Sequence, residues 1–212
     1  SITVNGRSSR ERQRFSAGHE LGNWMYDRGK VSFCCDDGNF IKDWSSKSSE
    51  RRANEYAANL LLPRTMFTEY AYRKHIAFSS VIELAQLFKT SITATAIRLI
   101  ELGSFPAMIV CSGSDGRYWF KRHPDVPEAL WPVKSIGPKT VASNLLKSGD
   151  VSGKPEDINA GQWIEREDAQ NYWVKEDSIM VGRDTVLSLL WWEDEQELLD
   201  LDQDDDEEDD EM

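Results

Sequence analysis

With 212 residues the chain is long enough to bury a sizeable core in one or two domains, and its 40% hydrophobic content is spread in short stretches. No apolar run approaches the roughly 18 to 20 residues needed to span a bilayer. The formal charge of −12 is concentrated at one end, because the last twenty residues hold 14 acidic and no basic side chains and leave the rest near neutral.

With no cleavable signal segment visible, these features predict a cytoplasmic protein that does not enter a membrane. The chain begins at Ser1 rather than Met, which is compatible with a piece of a longer protein. Cys34, Cys35 and Cys111 make neither an even disulfide framework nor a Cys-x-x-Cys metal site, so reduced thiols are expected.

In chain order, the first predicted element is a helix over residues 10–28, where Phe15, His19, Gly22, Asn23 and Tyr26 recur at spacings of three and four and Gly29 marks the stop. Val31 to Trp44 reads as two short extended pieces around Asp36-Asp37-Gly38-Asn39, a possible hairpin. A second helix, capped by Ser48 or Ser49, runs through Glu50, Ala53, Asn54, Ala57, Leu60 and Leu61 and stops before Pro63. Thr65 to Gly103 is helical again. Its segments Ile82 to Phe88 and Thr93 to Leu102, separated by Lys89-Thr90-Ser91, outline a helix-turn-helix.

After Gly103 the texture changes to strands at Ala107 to Cys111, Arg117 to Lys121, Gln170 to Lys175 and Thr185 to Trp192. A domain boundary is therefore expected near residue 104. Residues 193–212 are predicted to be a disordered acidic tail, serving either as a solubilising end or as an autoinhibitory, DNA-mimicking segment.

The chemistry concentrates in Arg14-Phe15-Ser16-Ala17-Gly18-His19-Glu20-Leu21-Gly22-Asn23-Trp24. In a His-Glu-x-x-His helix two imidazoles one turn apart reach one zinc ion, and the adjacent Glu polarises the metal-bound water. Here the fifth position is Asn23. A carboxylate from a separate helix is the usual third ligand, and Glu50 is the candidate. Glu55 competes with it, but lies about 140° around the helix, so the two cannot both face one ion. Asn54, one turn beyond Glu50, is placed to orient His19.

The two segments together resemble the ImmA/IrrE family of metallo-endopeptidases. Members carry a Phe-x-x-x-His-Glu-Leu-Gly-His-Trp-like helix and a later Glu-x-x-Ala-Asn-x-Phe-Ala-Ala-x-Leu-Leu-x-Pro helix. The resemblance covers roughly residues 10–103. It implies an α+β protein with a mainly helical, zincin-like metallopeptidase domain over 1–103, including a helix-turn-helix-like part at 80–103. The resemblance stops at Gly103, and the strand pattern beyond it predicts a smaller α+β C-terminal domain at 104–192, followed by the tail. It also implies a zinc cofactor held by His19 and Glu50, with Glu20 as general base. The implied substrate is a protein, a DNA-binding repressor or antitoxin whose cleavage relieves repression.

Asn23 stands where the family has its second His, and its amide oxygen is a poorer zinc donor than an imidazole nitrogen. Three origins are open: a natural pseudoprotease acting as a protein-binding regulatory module, an inactivating substitution, or a working site completed by another group. Tyr70, Tyr72 and His75, read as following one another on a helix just past the metal helices, are the candidates to donate a hydrogen bond to a tetrahedral intermediate. Direct nucleic-acid binding is not expected, since paired short helices also serve as packing supports and Lys89 to Arg98 holds only two basic side chains. Cys34 and Cys35 lie in the loop over the presumed site, and an ordinary reduced pair is the expectation over a redox sensor.

Overall fold

The structure, a computed structural model, describes residues 1–26, 48–193 and 195–203. The expected hairpin within Val31 to Trp44, the Cys34-Cys35 pair and residues 204–212 lie outside the described residues. Helices α1 (Arg10–Tyr26), α2 (Ser48–Leu61), α3 (Arg64–Ala71), α4 (Phe78–Phe88) and α5 (Ile92–Leu102) come first. Strands β1 (Ala107–Gly113) and β2 (Gly116–Arg122), helix α6 (Val141–Ser148) and strand β3 (Glu156–Asn159) follow. Two short 3-10 turns, strands β4 (Trp173–Gly182) and β5 (Thr185–Trp191), and helix α7 (Glu195–Gln203) complete an α+β architecture.

The five strands form one antiparallel sheet in the order β2-β1-β5-β4-β3. Both faces are covered. Met108, Val110, Val186 and Leu190 point into a core shared with α6 and α7, while Ala107, Ile109, Cys111, Leu187 and Leu189 point into a second core with α3, α4 and α5. Because β1 and β5 are buried on both sides, they read in sequence as continuous apolar runs rather than as alternating ones.

Helix ends are closed by side chains from distant elements, which satisfies backbone groups a helix leaves unpaired. Arg14 on α1 donates to the carbonyls of Phe88 (2.9 Å) and Lys89 (2.6 Å) at the end of α4. Arg98 on α5 is buried and donates to the Leu62 carbonyl just past α2 and to Asn59. A cation at a helix C-terminus also complements its dipole.

Several expectations shift. The strand expected at Gln170 to Lys175 starts later, at Trp173, and runs to Gly182 through Lys175-Glu176-Asp177-Ser178, a charged run that resembles a loop until its burial is known. Helix α6 and strand β3 were not anticipated. Their signals differ: Thr140 caps α6 by accepting from the Ser143 amide, and Gly149 ends it at φ 77°, whereas the four polar-rich residues of β3 carry no period at all. The tail expected to be disordered from residue 193 begins instead as α7, because Leu198 and Leu201, three positions apart, are buried against the core.

In the helix-turn-helix outline, Lys89 takes the left-handed conformation at φ 54° and Ser91 caps α5. Every residue from Thr95 to Ile100 is buried. The second helix is thus surrounded by core and offers no free face through its middle.

Candidate metal centre

Helices α1 and α2 cross closely because small residues meet at the contact. Gly18 and Gly22 of α1, one turn apart, face Ala53 and Ala57 of α2; a Cβ on Gly22 would lie 3.0 Å from the Tyr56 Cβ and 3.1 Å from the Ala53 Cα, and one on Gly18 would lie 3.3 Å from the Ala57 Cβ. That approach sets His19, which is buried, directly against α2.

Both ring nitrogens of His19 meet oxygen. Nδ1 is 2.8 Å from Asn54 Oδ1, and Nε2 is 3.3 Å from Glu50 Oε2. Since an amide oxygen only accepts, Nδ1 carries the proton and donates it to Asn54, which fixes the ring and leaves Nε2 facing the Glu50 carboxylate. This is the arrangement in which an outer partner orients a metal-binding imidazole. An imidazole nitrogen and a carboxylate oxygen converge, and a proton or a cation between them relieves the contact of their lone pairs.

The other residues singled out by sequence divide clearly. Glu20 and Asn23 are half-buried on α1, with Asn23 one turn beyond His19. Glu55 faces solvent and pairs with Arg51 at 3.0 Å, so the carboxylate that meets His19 is that of Glu50. Tyr70 is exposed at the edge of the Phe88 ring, 5.9 Å between centroids. Tyr72 and His75 are exposed as well, and a correction applies to their setting: α3 ends at Ala71, so both lie beyond the helix. Among the described residues no polar contact joins Tyr70, Tyr72 or His75 to the His19 pair.

The fit to zinc can be judged from the donors. Among the described residues no group of three or more His, Cys, Asp or Glu side chains comes together. What converges is one imidazole and one carboxylate, and the residue one turn beyond His19 on α1 is Asn23, whose side chain is a neutral amide. A catalytic zinc takes three protein ligands of the imidazole, carboxylate or thiolate kind and a water, so the described residues do not complete such a site.

Residues 1–100 match the model of the IrrE N-terminal-like domain. Over this segment, a little under half of the chain, the protein is similar to the ImmA/IrrE family. That family is a metallopeptidase one and typically zinc-dependent. The matched segment ends within α5, before the first strand. Over a longer stretch the fold is similar to a solved structure of a Mycobacterium tuberculosis transcriptional regulator, with a TM-score of 0.59 and 12% identity. The likeness covers 89% of this chain and 58% of that one, so this chain spans well under two thirds of the regulator's length. A search of curated proteins finds no match. Among the described residues, no helix is long and apolar enough to cross a membrane.

Proposed function

We propose that this protein is a metallopeptidase-derived regulatory module, which binds a segment of a DNA-binding repressor or antitoxin near α1 and α2 and does not hydrolyse it through zinc. The observation that carries this reading is Asn23. The frame of the site is kept, with His19 oriented by Asn54 and facing Glu50, while the one position a turn beyond His19 has lost its imidazole. An ancestral ligand set with a single replaced donor is what a scaffold retains after selection on hydrolysis has ended. The regulatory setting is supported by the family of residues 1–100 and by the fold shared with a transcriptional regulator.

A second reading is favoured by the same retained pair. In it the protein is still an endopeptidase acting in the cytoplasm, with Glu20 as the base that takes a proton from the attacking water and another group completing the metal site. Glu20 follows His19 on α1 and is half-buried, which supports that role.

The deciding measurement is zinc per chain by elemental analysis, on the protein and on Asn23→His, each loaded with zinc and dialysed. The regulatory reading expects zinc near one equivalent only in Asn23→His. Near one equivalent in both chains would overturn it in favour of the peptidase, and zinc in neither would remove His19 and Glu50 as ligands. Incubation with a repressor encoded nearby, using the protein and Glu20→Gln, then separates holding from cutting: under the regulatory reading the repressor stays intact with both.

A further inference from the structure

At the margin of the sheet, far along the sequence from His19, a cleft of about 480 Å³ opens between β3, β4 and the start of α7. It is lined by Asp157, Trp173, Val174, Lys175, Glu193 and Glu197. The function proposed above uses none of these residues.

Trp173 is the unusual member. It begins β4, whose next residue Val174 is fully buried, yet its own side chain is 52% exposed. A large indole at a sheet margin offers a flat face that attracts cations through its quadrupole. The charges around it agree in sign. Lys175 is held by Asp157 at 2.9 Å and approached by Glu193 at 3.8 Å, so its ammonium is already neutralised. Glu197 is half-buried at the cleft and has no hydrogen-bond or ion-pair partner among the described residues. A partly desolvated carboxylate without a partner gains most from an incoming cation. Three carboxylates against one ammonium leave the cleft negative.

We infer that this cleft binds a lysine or arginine side chain of a partner polypeptide, with the cation stacked on Trp173 and paired to Glu197. Arginine suits the site better, because its planar guanidinium can lie on the indole and present two N–H donors to one carboxylate. The position at the sheet margin, beside the edge strand β3, leaves room for the polypeptide that carries the side chain to pass along the outside of the sheet.

The test uses the full chain and a fluorescein-labelled peptide, Gly-Ser-Arg-Gly-Ser-Arg-Gly, with its citrulline counterpart as a neutral isostere. Binding is read by anisotropy at about 0.15 M salt, where exposed charges are largely screened. The arginine peptide is expected to bind and the citrulline peptide not to. Trp173→Ala and Glu197→Gln should each weaken binding about five- to tenfold, with unchanged circular dichroism, as both replacements are at solvent-accessible sites. Equal affinity in Trp173→Ala would assign the binding to the acidic C-terminus alone and overturn the inference, and so would absence of binding by the unaltered protein.

Discussion

Glu176 and Asp177 are neighbours on β4, and their carboxylates cap helices on opposite faces of the sheet. Glu176 accepts from the Val141 and Ala142 amides at the start of α6, from the Trp163 indole at 2.8 Å and from the Ser178 hydroxyl at 2.7 Å. Asp177 accepts from the Phe78 amide at the start of α4 at 2.7 Å. The alternation of side chains along a strand sends one residue to each layer, so two consecutive acids fasten helices to both faces.

Replacing Glu176 with Ala should therefore be among the most damaging single changes in the chain. It strands several buried donors and leaves a cavity, a loss on the order of 3 kcal/mol or more. Chemical denaturation of the variant measures it. A loss under about 1 kcal/mol would show that solvent reaches these donors.

The pH response of this pair runs opposite to that of ordinary surface carboxylates. Burial raises both carboxyls above their usual range, against the hydrogen bonds that lower them. The folded state then holds these protons more tightly than the unfolded chain, so the associated stability is fully present below the unfolded values and is lost as pH rises through the folded ones. Stability of the protein, measured relative to Glu176→Gln, should accordingly rise on acidification from neutral towards pH 4.5. A difference that stayed flat or fell over that window would contradict the assignment.

At the α1 and α2 crossing the two glycines should respond differently. Gly22→Ala pushes a methyl to within 3.0 to 3.2 Å of the Tyr56 Cβ and the Ala53 backbone, and is expected to cost about 1 to 3 kcal/mol through overpacking. Gly18→Ala meets contacts of 3.3 Å and beyond, and gains up to about 1 kcal/mol in helix propensity, so it should be close to neutral. Thermal melts of the two variants provide the ranking, and a more stable Gly22→Ala would refute the close crossing.

Asn54 should matter for metal even though it touches none. In the Asn23→His background, Asn54→Ala frees the His19 ring from its 2.8 Å partner and should weaken zinc about 10- to 100-fold. Competition with a chelating dye reads this directly. Unchanged affinity would mean that packing alone orients the imidazole.

Much of the helical half was legible in the sequence. The spacing of Phe15, His19 and Asn23 and the stop at Pro63 are local signals, and they place α1 and α2 within a few residues of their observed bounds. Helical geometry established only that Glu50 and Glu55 cannot both turn towards one ion; the resemblance pointed to Glu50, and it is Glu50 that meets His19. What could not be read was long-range. Lys175 to Ser178 looks like a loop because its reason for being buried lies in the amides of α6 and α4, dozens of residues away. Leu198 and Leu201 were overlooked in an acidic background, although two leucines three apart are enough to seat α7 on an existing core. The close approach at Gly22 was also invisible, because a glycine inside a helix does not announce what it faces.

The closures that distant side chains make at helix ends bear on modularity. Helix α4 is closed at its start by Asp177 and at its end by Arg14, and α4 and α5 rest their apolar sides on β1 and β5. A graft that carried only residues 1–103 into another protein would bring α4 without its first cap and with its underside wet. Transplanting this helical segment therefore means transplanting the sheet as well, and the seam for any chimera lies past β5 rather than at Gly103.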